Sequence, residues 1–307
     1  MTSENPVIMI AKNTANRSSF LKSLESANMS YVVVEKLGEF HAQLESSKSN
    51  VVVHVLEDFE RGEVALFHHR LVRSEGGRRL ARFLVYRGTN ERAVSFAADL
   101  AMLKALQAEQ ALSSLGYTLQ LTLKAYNDCE PELKEALELV ACGDCCVPAE
   151  ELEKLRAVSR RFPLAENLAI ASAYVGLIKD GDVDAALRKG QSILNRSPES
   201  VRAMTLVGEC LLTLKDYEAA AKILMNAESF AAGNPLRIAL IGQLAAQLGN
   251  IDSAKKCLMK SVEIFPVVRA VKPLIALLTI SDEEKKALTA HLALRMSADE
   301  IKLLFEN

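Results

Sequence analysis

Three groups of residues have types and spacings that could do chemistry. Cys142-x2-Cys145-Cys146 carries half of a zinc spacing. A structural zinc site takes four ligands, usually from two such pairs. No second Cys-x2-Cys accompanies it and no His lies nearby, so reduced, buried thiols in a helical turn are the expected state. His68 and His69 are neighbours on an expected helix, which turns their rings about 100° apart. They do not converge on one metal as an i, i+4 pair would. His41, His54 and His291 have no partner at a recognisable spacing. The third group is Arg70, Arg73, Arg78, Arg79, Arg82, Arg87 and Arg92, with Glu75 and Glu91 the only acids among them. Arginine forks recognise carboxylates and phosphates through paired bonds. The run reads first as a solvated face, second as a docking surface for an acidic protein, and third as a contact for nucleic acid.

No Gly-rich phosphate loop is present, and Gly76-Gly77 reads as a turn. No nucleophilic Ser sits in an elbow motif. A non-enzymatic protein without cofactor or metal is the expectation. The formal net charge of −2 gives no global pull toward nucleic acid or an anionic membrane. No basic run precedes the first apolar stretch, and no apolar run reaches the ~18 residues of a membrane span. The chain is therefore expected to be cytoplasmic, with its six Cys reduced.

The elements that must position these residues fall into two kinds. At 307 residues two domains are expected. The first part alternates β-rich runs, Val7–Ile10, Tyr31–Val34, Val51–Leu56 and Phe83–Tyr86, with helix-permissive stretches. Such alternation implies a parallel sheet with helices on both faces. A fifth run, Ala98–Lys104, fits strand or helix equally by periodicity. From Ala105 the chain reads as helical, with Gly116 the weak point of the stretch to Asn127. The expected division is an α/β domain over 1–112, a helical connector over 113–128 and a helical repeat domain over 129–307.

The second part repeats every 34 residues, counted from Asn167, Val201 and Pro235. Position 8 holds Tyr174, Gly208 and Gly242, and position 20 holds Ala186, Ala220 and Ala254. Small residues there let paired helices approach closely. Asp182, Asp216 and Asn250 at position 16 are placed to cap the second helix of each pair. Gly181, Lys215 and Gly249 precede them, and two of the three suit the end of a helix. Pro198, Ala232 and Pro266 fall at position 32, where Pro stops a helix. Asn234-Pro235 suits an N-cap followed by Pro at N1.

This pattern resembles the tetratricopeptide repeat family through Val207-Gly208, Ala220, Leu224, Ala227 and their counterparts 34 residues away. The resemblance covers 167–268, with a degenerate repeat expected from Pro131 to Pro163. The family's first-helix aromatic is replaced by Ile170, Met204 and Ile238. Ser281 with Glu284, and Ser297 with Glu300, have capping-box spacing and suit terminal capping helices. The resemblance implies a protein-binding groove along repeat positions 2, 5, 9 and 12. These are Leu168, Ala171, Val175 and Ile178, then Arg202, Thr205, Glu209 and Leu212, then Leu236, Ala239, Gln243 and Ala246. Val175, Glu209 and Gln243 at position 9 do not make the family's clamp for a terminal carboxylate. An amphipathic helix or an extended peptide with apolar anchors is the expected occupant. The second reading, ranked just below it, is a groove filled by the chain's own C-terminal helices or by the N-terminal domain.

Residues 5–115 resemble the receiver domain of bacterial two-component systems in the order of their elements. That family holds Mg²⁺ and a phosphoryl group on an acidic pair after strand one and an Asp ending strand three. Aligned without gaps, those places fall on Ala11, Lys12 and Val55, with His54 one residue away. Magnesium needs hard oxygen ligands, which these residues lack. The family's hydroxyl position falls on Arg87 and its Lys on Lys104. The resemblance therefore implies a phosphorylation-incompetent docking domain, and the whole chain reads as an adaptor or scaffold in bacterial signalling. Two alternatives stand beside it: a regulator still controlled by a ligand or phosphoryl group, and a nucleic-acid-binding regulator using the Arg run.

Overall fold

The computed structural model describes residues 6–12, 14–72, 77, 80–87, 91–100, 102–129, 131–133, 135–136, 154–155, 157–159, 166–264, 268–277 and 282–293. The chain divides into two compact units, Met1–Cys142 and Gly143–Asn307.

The β-rich runs of the first unit become β1 (Val7–Ile10), β2 (Tyr31–Val34), β3 (Val51–Val55), β4 (Ala81–Tyr86) and β5 (Lys104–Gln107). They pair in parallel in the order β2-β1-β3-β4-β5. Helices α1 (Ala15–Ser26), α2 (Phe40–Ser47), α3 (Arg61–Leu71), α4 (Glu91–Asp99) and α5 (Ala108–Asn127) connect and follow them. Side chains alternate across a strand. Val7, Met9, Val51, Val53, Phe83 and Val85 therefore pack with Phe20 and Leu24 of α1 and Leu115 and Leu119 of α5. Ile8, Ile10 and Val52 pack on the other face with Phe40 of α2 and Phe67 and Leu71 of α3. Both faces are covered, which is why the central strands are mostly apolar, with His54 in β3 and Arg82 in β4 as buried polar exceptions.

The fifth strand departs from expectation. Helix α4 runs through Asp99, and pairing with β4 starts only at Lys104, opposite Phe83. Lys104 therefore begins β5, and Gln107 ends it.

Helix α5 crosses the boundary expected at residue 112 and runs unbroken through Gly116. The missing side chain there serves contact with α1. A Cβ on Gly116 would stand 2.5 Å from both the Ala27 Cβ and the Ser23 carbonyl oxygen. The Gly116 N–H donates to the Ser23 hydroxyl at 3.2 Å, and the Gln120 amide donates to the Ala27 carbonyl at 2.6 Å. The stretch read as a connector is thus the last helix of the sheet domain.

In the second unit the described helices are α6 (Glu166–Val175, continuing into a π turn at Gly176–Asp180), α7 (Val183–Arg196), α8 (Val201–Thr213), α9 (Tyr217–Phe230), α10 (Pro235–Gln247), α11 (Ile251–Ile264), α12 (Val268–Leu277) and α13 (Asp282–Ala293). The caps sit where the repeat places them. Asp182, Asp216 and Asn250 accept from the main-chain N–H of Ala185, Ala219 and Ser253. Asn234 accepts from Leu236 and Arg237, with Pro235 at the helix start. All three residues before the position-16 caps are left-handed, including Lys215 at φ +64°. A Cβ on Gly208 would lie 2.5 Å from Leu224 Cδ2, so α8 and α9 meet through that gap. Position 8 is not small throughout, since Tyr174 fills it as a buried aromatic. Cys142, Gly143, Asp144, Cys145, Cys146, Pro163, Pro266, Ser281 and Ser297 lie outside the described residues.

Candidate functional site

The strongest candidate is a concave cleft of about 450 Å³ in the second unit. Its walls come from three helices spaced one repeat apart. Helix α8 supplies Glu209 and Leu212, α10 supplies Gln243 and Ala246, and α12 supplies Pro273 and Leu277. Glu209, Gln243 and Leu277 are the position-9 residues of successive repeats. A 34-residue period returns the same helix face to the same side of the stack, so residues far apart in sequence line one surface. The outer rim carries Lys215 and Tyr217, whose hydroxyl donates to the Gln247 amide oxygen at 3.2 Å.

The cleft is narrower than the row of twelve expected residues. Leu168, Ala171 and Val175 of the first repeat are buried at 2% exposure or less, so they cannot meet a partner. Ile178 is exposed but sits in the π turn and outside the cleft. Arg202, Thr205, Leu236 and Ala239 are also buried. Thr205 belongs to an internal network: its hydroxyl donates to the Val201 carbonyl and accepts from Arg237. Arg237 is itself fully buried, with Nε 2.8 Å from Glu228, and also donates to the Ala231 carbonyl. This guanidinium ties α8, α9 and α10 together. Three expected residues remain part-exposed at the cleft, Leu212, Gln243 and Ala246; Glu209 lines it as well but is buried, at 8% exposure. Pro273, Ala276 and Leu277 were missed, although Leu277 falls one 34-residue period after Gln243 and that spacing was available.

At the carboxyl edge of the sheet in the first unit, Ala11 and Lys12 follow β1, Val55 ends β3 and Arg87 follows β4. Lys104 stands on the opposite edge, because all five strands are parallel. It is therefore not at the strand end that the receiver pattern requires. Glu57 and Asp58 do reach the carboxyl edge, through a 3₁₀ turn at Leu56–Asp58. Asp58 Oδ2 accepts from the Lys12 main-chain N–H at 2.8 Å, and Glu57 Oε1 accepts from that of Arg87 at 2.5 Å. The Lys12 ammonium lies 5.1 Å from the Phe59 ring centroid. The crevice where open α/β sheets bind ligands thus carries hydrogen bonds within the chain.

Among the described residues the Arg run is not uniformly exposed. Arg82 points from β4 into the interior at 3% exposure. Arg70 and Arg87 are exposed. Arg73, Arg78 and Arg79 lie outside the described residues, as does the side chain of Arg92.

His54 is the residue that sequence reasoning placed least well. Its Nδ1 lies 3.0 Å from Nε2 of His68, and both rings are fully buried between β3 and α3. Burial lowers the His54 pKa to about 3. Burial also holds His68 well below its usual value, helped by His54, Arg82 and His69.

Models of the tetratricopeptide repeat match residues 177–240 and 238–267. These residues are tetratricopeptide repeats. No curated protein and no solved structure matches the chain. Tetratricopeptide repeats point to protein partners, and no helix among the described residues is long and apolar enough to cross a membrane.

Proposed function

We propose that this chain is a non-enzymatic adaptor in bacterial signalling that captures a protein segment in the cleft between α8, α10 and α12. The cleft carries the reading. Leu212, Ala246, Pro273 and Leu277 supply apolar wall, while Glu209 and Gln243 add polar groups along its length. An amphipathic helix or an extended segment with apolar anchors fits that mixture. The first unit serves as a receiver-like docking domain without phosphoryl chemistry. Its strand order and the residues Ala11, Lys12 and Val55 support that role. Exposed Arg70 and Arg87 suit an acidic protein there.

The test is a displayed random-peptide library panned against the full chain and against Leu212→Glu/Ala246→Glu. Both residues are only partly buried, so the variant is expected to fold. Enriched peptides should carry spaced apolar anchors. Their affinity should fall by about 30-fold or more in the variant, because an unpaired carboxylate under a bound segment costs at least ~2 kcal/mol. Equal affinity for both proteins would remove the cleft from consideration.

A further inference from the structure

We propose that the His54–His68 contact is a proton-operated clasp, which holds α3 on the sheet at neutral pH and releases it in mildly acidic solution. His54 lies in β3 opposite Ile10, and His68 lies in α3. The two facing nitrogens are 3.0 Å apart, a distance that accommodates one proton between them. The outer nitrogens, His54 Nε2 and His68 Nδ1, are buried without a hydrogen-bond partner. Phe59 stands edge-on to His54 at 5.0 Å, and Phe67 stands edge-on to His68 at 5.0 Å.

A neutral pair has one N–H in the contact, whichever ring carries it. A first added proton goes to an outer nitrogen, where it puts a charge among aromatic rings with no acceptor. A second puts N–H against N–H across the contact and forces the rings apart. The surroundings oppose both steps. Arg82 of β4 and His69 of α3 act on His68 from two elements, and both disfavour added positive charge. Lys12 adds a further cation beyond Phe59. A bound metal ion is the weaker reading. Among the described residues no third His, Cys, Asp or Glu joins the pair to make a ligand set, and the Arg82 charge repels a cation.

The sign follows from linkage. An unfolded or released imidazole titrates near 6.5, while the docked rings titrate far lower. The docked state therefore has its full stability above about pH 6.5 and loses it as pH falls from there toward 3. Between pH 7 and pH 5 the opening constant should rise by about 25-fold per imidazole, and several hundred-fold for the pair.

Hydrogen–deuterium exchange on the full chain reads this directly. Peptides from β3 and α3, corrected for intrinsic rate, should lose protection between pH 7 and pH 5, while those from α8 to α11 serve as the reference. The variant His54→Leu/His68→Leu should make α3 protection independent of pH over that range. If it does not fold, imidazole NMR of the wild-type chain still decides. Unchanged α3 protection from pH 7 to pH 5, a pH step that persists in a folded variant, or His54 and His68 titrating near 6.5 in the docked state would each overturn the clasp.

Discussion

The main-chain N–H of Lys12 donates to Asp58 Oδ2 at 2.8 Å, so a carboxylate at the edge of the sheet is already engaged by the chain itself. Glu57 does the same for Arg87. Both acids sit beside the place where the receiver pattern needs free oxygens, and both hold strand-following backbone in position. Asp58→Ala should cost ~1 kcal/mol of stability in the first unit, through loss of a charged acceptor.

Full-length protein incubated with Mg²⁺ and a small-molecule phosphodonor should show no stoichiometric phosphoryl adduct in the first unit. Intact mass followed by peptide mapping checks this. An acyl phosphate on Glu57 or Asp58 would restore phosphoryl control as a working hypothesis.

Val175→Glu and Leu212→Glu should behave as opposites, although both occupy groove positions of the repeat. Val175 is fully buried in the apolar cluster region of the first repeat, whereas Leu212 borders the cleft. A carboxylate at 175 should destabilise the array by ~3 kcal/mol or more, seen as a lower melting temperature. At 212 the melting temperature should stay close to wild type. Equal stability of the two variants would mean that the first repeat is open after all.

Gly116→Ala should destabilise the first unit, against the usual gain of ~1 kcal/mol for Ala over Gly within a helix. The added Cβ meets the Ser23 carbonyl, and that backbone cannot swing away as a flexible side chain would. A net loss of about 1–3 kcal/mol is expected. Urea unfolding followed by circular dichroism reads it, and a raised midpoint would show that α1 and α5 separate easily.

Lys215→Gly should stabilise the second unit by about 1 kcal/mol. Lys215 holds φ +64° at the helix end where the neighbouring repeats use Gly181 and Gly249. A side chain is strained in that conformation and Gly is not. A shift of the urea midpoint to higher concentration checks it. No shift would mean that the gain is cancelled by the extra freedom of Gly in the unfolded chain.

Much of the architecture was legible in the residues alone, and the reason is locality. Asp182, Asp216 and Asn250 cap helices by reaching N–H groups three residues on, so their effect is written within one turn of chain. The 34-residue spacing repeats such local signals, and the first four strands are rich in Val, Ile and aromatic β-formers. Other features depended on partners distant in sequence. Lys104 begins β5 because pairing with Phe83 of β4 begins there, and periodicity carries no information about a neighbouring strand. Gly116 looked like a helix break until α1, 93 residues earlier at Ser23, came against it. Val175 and Gln243 share a repeat position, yet one is fully buried in the first repeat and the other is part-exposed and lines the cleft. His54 and His68 meet only because β3 and α3 pack face to face. Local hydrogen-bonding and periodicity determined the elements from sequence; which faces are covered, and which buried polar groups meet, was decided by packing between elements.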